Sequence, residues 1–146
     1  MKNKTIKIIG DLMIDIWCKG TMEKKSSEAQ INIFETDNTT YSLGGAGNLC
    51  FNLKSLGVNF KIFSEVGKDQ NGDKILKILK KQKINFLTDR IKKTTTSKIR
   101  LFLKDKQIFR QDIEDIKINK NISNNLIKNL DKKDIVVISD YKKGCI

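Results

Sequence analysis

The sequence predicts an α/β fold: a mainly parallel sheet with a smaller β-layer projecting from it. Three features point to it. Short Ile-rich apolar runs alternate with stretches of helical spacing, the pattern of βαβ units with right-handed crossovers. Glycines close these elements at Gly10, Gly57 and Gly67. The stretch 16–43 fits neither strand–helix alternation nor a linker, and reads as a separate layer of strands.

Lys4 to Ile9, ending at Gly10, is a buried first strand. Asp11 and Asp15 follow, placing two carboxylates just beyond its C-terminal end, where open α/β sheets bind ligands. Within 16–43, Ile31, Ile33 and Glu35, then Thr39, Tyr41 and Leu43, alternate as two short strands after a polar loop. Ala46, Leu49, Cys50, Leu53 and Leu56 share one helical face, and Gly57 stands where a C-terminal cap belongs. Asn59 to Val66 is a second core strand. Asp69 to Lys83 is the clearest helix, with Ile75, Leu76, Ile78 and Leu79 as its buried stripe. Asp69, ahead of Asn71 and Gly72, reads as its turn and cap residue. Ile84 to Leu87 is a short strand. Thr95–Leu103 and Gln107–Asp112 flank Lys104-Asp105-Lys106 as a hairpin. Ser123 to Leu130 is a short helix capped by Ser123. Ile135 to Ile138 is a buried strand, followed by Ser139-Asp140-Tyr141-Lys142-Lys143-Gly144.

Composition narrows the function. The chain has 146 residues, 38% hydrophobic and 32% charged, which suits one globular domain with a real core. No run approaches the about 18 apolar residues of a membrane span, and the apolar run before Asp11 is too short for a signal peptide. Cytoplasmic residence and no membrane partner are therefore expected. There is no histidine, which excludes His-based triads and His-ligated zinc. Cys18, Cys50 and Cys145 match no metal or redox spacing and read as small buried thiols. The net charge of +12 comes from lysines spread over helices and turns, without the aromatic-plus-basic patches of nucleic-acid binders. That field would serve anionic small substrates instead.

The cluster Gly44-Gly45-Ala46-Gly47-Asn48 opens a helix, and glycines there let backbone N–H groups approach an oxygen-rich ligand. Its spacing to Gly57 and then Gly67 resembles the N-terminal signature of the PfkB carbohydrate kinase family, with Cys50 where the family usually has Ser, Thr or Ala. Gly10 to Asp15 resembles that family's first strand and sugar-binding aspartate. Val66-Gly67-Lys68-Asp69 with Gly72 resembles its next loop, and 16–43 falls where the family has a lid over the sugar. A narrower likeness is to the bacterial D-glycero-β-D-manno-heptose-7-phosphate kinases. It lies in Ser26-Ser27-Glu28-Ala29-Gln30, Thr96-Ser97-Lys98-Ile99-Arg100, Ile108-Phe109-Arg110-Gln111-Asp112 and Ser139-Asp140-Tyr141 with Lys143-Gly144. The two prolines of the first of these segments are replaced here by Ser27 and Gln30.

The resemblance implies a ribokinase-like three-layer α/β/α sandwich with a small β-lid, of which residues 1–146 are the N-terminal portion. It implies transfer of the ATP γ-phosphoryl, with Mg²⁺, to the 1-hydroxyl of the heptose phosphate, in ADP-heptose and lipopolysaccharide core biosynthesis. Asp15 and Asn48 would hold sugar hydroxyls, beside the backbone of Gly44 and Gly45; alternatively Asp15 is a turn residue and Asn48 a helix cap. Lys98, Arg100 and Arg110 would hold the sugar phosphate, or form a solvated pair on a hairpin face. Asp140 and Lys143 would face the transferred phosphate or its metal, or simply end the strand. Glu28 lies in the lid-like segment. The family's catalytic base sits in a Gly-Ala-Gly-Asp segment near its C-terminus, and none is present here. The expectation is a sugar-binding half-site, inactive alone and binding neither ATP nor Mg²⁺ well by itself. A separately encoded C-terminal half and a homodimer through the lid are the implied partners. The alternatives are a non-catalytic truncated or split-gene fragment, or another PfkB sugar kinase of ribokinase or fructokinase type.

Overall fold

The computed structural model describes residues 5–115 and 128–146. Its strands form two sheets. The first is all parallel, in the order β5-β4-β1-β8: β1 (Ile6–Gly10) is central, between β4 (Phe60–Gly67) and β8 (Ile135–Ser139), and β5 (Phe86–Ile91) lies outside β4. The second has the order β3-β2-β6-β7, from β2 (Leu12–Lys25), β3 (Asn32–Gly45), β6 (Ser97–Leu103) and β7 (Lys106–Ile113). There β2 runs antiparallel to β3 and parallel to β6, and β6 pairs antiparallel with β7.

One core joins the two sheets through helices α1 (Ala46–Ser55) and α2 (Gln70–Lys81). Ile8, Ile62 and Val66 of the parallel sheet, Ile14, Ile16, Cys18 and Leu43 of the second sheet, and Ala46, Cys50, Ile75 and Leu79 of the helices belong to one buried cluster. The other face of the parallel sheet carries a smaller cluster around Ile9 and Phe63, with Leu87 and Leu130 against it. Strand alternation explains the split: Ile8 and Ile9 point to opposite faces of β1, as Ile62 and Phe63 do on β4. On the edge strand β8, Ile135, Val136 and Ile138 remain exposed.

The second sheet departs from the sequence expectation. Where two short strands are expected there is one continuous strand, β3 (Asn32–Gly45), and the segment read as a polar loop is largely β2. The polar sequence Lys19 to Lys25 is held as a strand by pairing with β3, with register shifts after Lys19 and after Thr21, and up to Gly20 by β6 on its other side. Such long-range pairing leaves little trace in local periodicity. The hairpin 97–113 joins this same sheet, and its turn places Lys104 at φ 56°. The helix expected over Ser123–Leu130 lies outside the described residues except for its last three, where Lys128 and Asn129 form a turn.

The helix ends follow the sequence more closely. Gly57, at φ 67°, follows α1 in a left-handed turn, and its N–H donates to the Lys54 carbonyl at 3.0 Å. Asp69 caps α2: Oδ1 accepts from Gly72 N–H at 2.7 Å and from Thr95 Oγ1 at 2.6 Å, while Oδ2 accepts from Thr95 N–H at 2.7 Å. Burial pushes the Asp69 carboxyl up, but the Thr95 and Gly72 hydrogen bonds and the Arg90 charge outweigh it and hold the group below its ordinary value. Its folded-state affinity for a proton is thus lower than that of the unfolded chain. The stabilisation is present above the unfolded pKa of about 3.9 and is lost as pH falls through the lower folded value. Asp69→Asn is expected to cost about 1–2 kcal/mol at pH 7. Urea titrations from pH 7 downward should show the gap to the parent narrowing in acid; a gap independent of pH would contradict this.

Candidate functional site

The C-terminal edge of the parallel sheet is organised around Asp11. The chain leaves β1 at Gly10 and enters β2 at Leu12, and Ser64 Oγ secures the junction by donating to the Gly10 carbonyl (2.6 Å) and accepting from Leu12 N–H (3.3 Å). The buried Asp11 carboxylate gathers three N–H groups from the loop after β8. Tyr141 and Lys143 donate to Oδ2 at 2.7 and 3.2 Å, and Cys145 donates to Oδ1 at 3.0 Å. Its carbonyl accepts from Ala46 N–H, the first residue of α1, at 2.9 Å.

Asp15 sits four residues further on, on the face of β2 opposite Ile14 and Ile16. It is buried, and Oδ1 accepts from Arg100 Nη1 at 2.6 Å. Gly44 lies beside it: a Cβ there would stand 2.6 Å from Asp15 Oδ2, so the absence of a side chain makes room for the carboxylate. The Arg100 guanidinium lies over the Trp17 ring at 4.7 Å. Trp17 is itself fixed, its indole N–H donating to Ser42 Oγ at 3.1 Å and its ring stacked on Phe102 at 5.6 Å.

Further out on the same face, Arg110 grips Asp112 through Nε–Oδ1 at 2.7 Å and Nη2–Oδ2 at 2.6 Å. Lys98 Nζ lies 3.7 Å from the same carboxylate. The Arg110 fork, with Lys98 adding to it, holds the Asp112 carboxyl below the usual carboxylate range.

Helix α1 starts beside Asp15's strand. Gly45 is its N-cap, without a side-chain hydrogen bond, and the first turn carries no acidic residue. The exposed Asn48 side chain therefore is not the cap, and it has no partner among the described residues. Helix N-termini of this kind favour electron-rich ligands. Asp140, by contrast, accepts from Lys142 N–H at 2.7 Å within its own turn, and Lys143 Nζ is held by Glu114 at 2.7 Å. Glu28 lies exposed in the turn between β2 and β3, its N–H donating to Ser26 Oγ.

The structure thus brings Asp15, Gly44, Gly45 and Arg100 together, with Lys98 and Arg110 on the adjoining strands, and leaves Asp140 in a separate turn. Sequence reasoning gave no role to Trp17, Asp112 or Glu114, nor to Asp11 as an anchor. Asp11 was visible as a carboxylate after the first strand, but the N–H of Cys145 that it holds is 134 positions away.

All three cysteines are free and buried; burial pushes the Cys50 thiol up to about 12 and that of Cys145 up to about 11. Neither oxygen of buried Glu65 is hydrogen-bonded, and Lys93 Nζ is 3.8 Å away. Burial raises the Glu65 carboxyl above its ordinary value, against the Lys93 charge. Among the described residues, no group of three or more carboxylate, thiol or imidazole side chains converges to hold a metal ion, and no helix is long and apolar enough to cross a membrane.

Comparison with known proteins adds three findings. A family model described as pfkB family carbohydrate kinase matches residues 3–144. Two curated relatives are both called Bifunctional protein HldE. That of Aliarcobacter butzleri is 35% identical over 153 residues, covering 99% of this chain and 32% of its own length. That of Sulfurimonas denitrificans is 37% identical over 148 residues, covering 97% and 31%. The chain therefore spans about a third of the length of the curated relatives it matches. Among solved structures, phosphofructokinase-2 from Escherichia coli in complex with fructose-6-phosphate aligns with TM-score 0.67 at 13% identity, over 93% of this chain and 45% of that one. A phosphofructokinase-like protein from Staphylococcus aureus aligns with TM-score 0.65 at 18% identity, over 92% and 42%. These likenesses show the fold, a ribokinase-like α/β architecture.

Proposed function

The chain belongs to the pfkB family of carbohydrate kinases, and from that premise we propose that it is the sugar-binding part of an ATP-dependent kinase acting on a phosphorylated sugar. The acceptor we assign is D-glycero-β-D-manno-heptose 7-phosphate, phosphorylated at its 1-hydroxyl. The observation that carries the reading is one polar face holding both kinds of group such a ligand needs: Asp15 beside Gly44, and the cations Lys98 and Arg110 on the neighbouring strands. The lid and hairpin stretches named above, with their likeness to heptose-7-phosphate kinases, support this choice of sugar.

In this reading Asp15 Oδ2 accepts hydrogen bonds from sugar hydroxyls while Arg100 fixes the carboxylate through Oδ1. Asn48 donates and accepts at once, which suits a polyol, and the uncapped α1 N-terminus faces the same electron-rich groups. Lys98 and Arg110 take the phosphate, the arginine through its fork. Lys143 reaches the transferred group only after leaving Glu114. When bound, ATP supplies the phosphoryl group and Mg²⁺ neutralises its charge; the residues described here select and orient the acceptor.

Calorimetric titration with the heptose phosphate tests the reading. Asp15→Asn and Asn48→Ala should each weaken binding, Asp15→Asn by about tenfold to a hundredfold, because a hydrogen bond to a charged group is lost. Unchanged affinity in both variants would remove them from the site.

A further inference from the structure

Three cations crowd the polar face of the second sheet. Lys98 and Arg100 alternate on β6, and Arg110 stands directly opposite Arg100 on β7. Like charges opposed across an antiparallel pair repel. Two carboxylates relieve this pair by drawing the arginines apart, Arg100 toward Asp15 and Arg110 along its own strand toward Asp112.

The two ion pairs differ in kind. Asp15 and Arg100 are mostly enclosed, with side-chain exposures of 11% and 17%, and Trp17 backs the guanidinium. Asp112 and Arg110 are open, at 32% and 46%, so water screens them and their attachment is weak. Yet the geometry of the open pair is that of a guanidinium on a phosphate. Two N–H groups meet two oxygens at 2.7 and 2.6 Å, and an ammonium lies 3.7 Å from one of those oxygens.

We propose that Asp112 is a built-in stand-in for the ligand's phosphate: a phosphate monoester enters by displacing Asp112 from Arg110 and Lys98, while Arg100 stays on Asp15. The proposal rests on the sugar-phosphate reading above and deepens it. Near neutral pH a phosphate monoester carries about −1.5 to −2 charges against the single charge of the carboxylate, so it wins the fork. An uncharged sugar cannot, and finds the cations already neutralised. Asp112 is then a specificity-determining residue, setting which anions the lid admits without touching the bound sugar.

The test is calorimetry on the purified protein with two probes, D-glycero-β-D-manno-heptose 7-phosphate and the same heptose without phosphate. Asp112→Asn should bind the phosphorylated sugar about two- to fivefold more tightly, the scale of one exposed ion pair, and leave binding of the plain heptose unchanged. Asp112→Glu, which keeps a carboxylate within reach of Arg110, should restore parent-like affinity. Asp105→Asn, an equal charge change on the exposed hairpin turn, should have less than about a twofold effect, since the Debye length is about 8 Å at physiological salt. If the parent protein binds the phosphorylated sugar and Asp112→Asn binds it equally or less tightly, the displacement idea fails while the sugar-phosphate reading stands. Equal tightening by Asp105→Asn, or equal tightening toward both sugars, also overturns it. If the parent protein binds neither sugar, the underlying reading falls with it.

Discussion

Replacing Asp11 with alanine is expected to lower the unfolding free energy by about 3–5 kcal/mol, as removal of a buried, multiply bonded charged acceptor does. The carboxylate is 2% exposed and receives the N–H groups of Tyr141, Lys143 and Cys145. Alanine leaves three donors without their acceptor, in a space too enclosed for easy rehydration around Cys145. Asparagine keeps the shape but presents an NH₂ group to at least one donor, so Asp11→Asn should lose somewhat less, about 2–3 kcal/mol. The loss should be local as well as global. Hydrogen exchange should show the amides of 141, 143 and 145 losing protection before those of β4. Wild-type protection of these amides in Asp11→Ala would show that the loop is held by something else.

Gly45→Ala should be nearly as damaging, again by about 3–5 kcal/mol, through strain and overlap together. Gly45 has φ 58° and ψ −129°, a region open essentially to glycine alone. A Cβ there would stand 2.4 Å from the Asp11 carbonyl oxygen and 2.8 Å from Met13 Cε. The first neighbour is backbone already bonded to Ala46 N–H, so it cannot retreat without loosening the start of α1. Gly57→Ala is the contrast: φ is also positive, at 67°, but nothing lies within 4 Å of the added carbon. Only the left-handed penalty of about 1–2 kcal/mol then applies. Equal denaturation midpoints for the two variants would refute the steric argument.

Much of the parallel sheet was legible because its signals are local. The Ile-rich run before Gly10, the stripe Ile75, Leu76, Ile78 and Leu79, and the cap at Asp69 each declare themselves within a few residues. The length of β2 did not, because Lys19 to Lys25 alternate weakly and are held as a strand by partners elsewhere in the chain. The site divides in the same way. Asp15 and the glycine cluster stand in a recognisable order. That Gly44 is needed to seat Asp15 appears only when Met13 pairs with Gly44 across two strands. Asp112 was in view as the last residue of the stretch Ile108-Phe109-Arg110-Gln111-Asp112 that carries the narrower family likeness, but its grip on Arg110 depends on both lying on one face of β7.

The position of β1 has a consequence for synthesis on the ribosome. It comes before its partners β4 and β8 in chain order and lies between them in the parallel sheet, with Ile6 paired to Ile135 on one side. At roughly 5–20 residues per second, about 6 to 26 s separates the two partners in translation. Once β4 is made, β1 has it on one flank and an open flank on the other until β8 follows, with Asp11 not yet bonded to the loop it will hold. The strand inside this sheet thus completes its pairing later than its own synthesis suggests, and over that interval it depends on the β4 flank and the helical layer to stay out of wrong pairings.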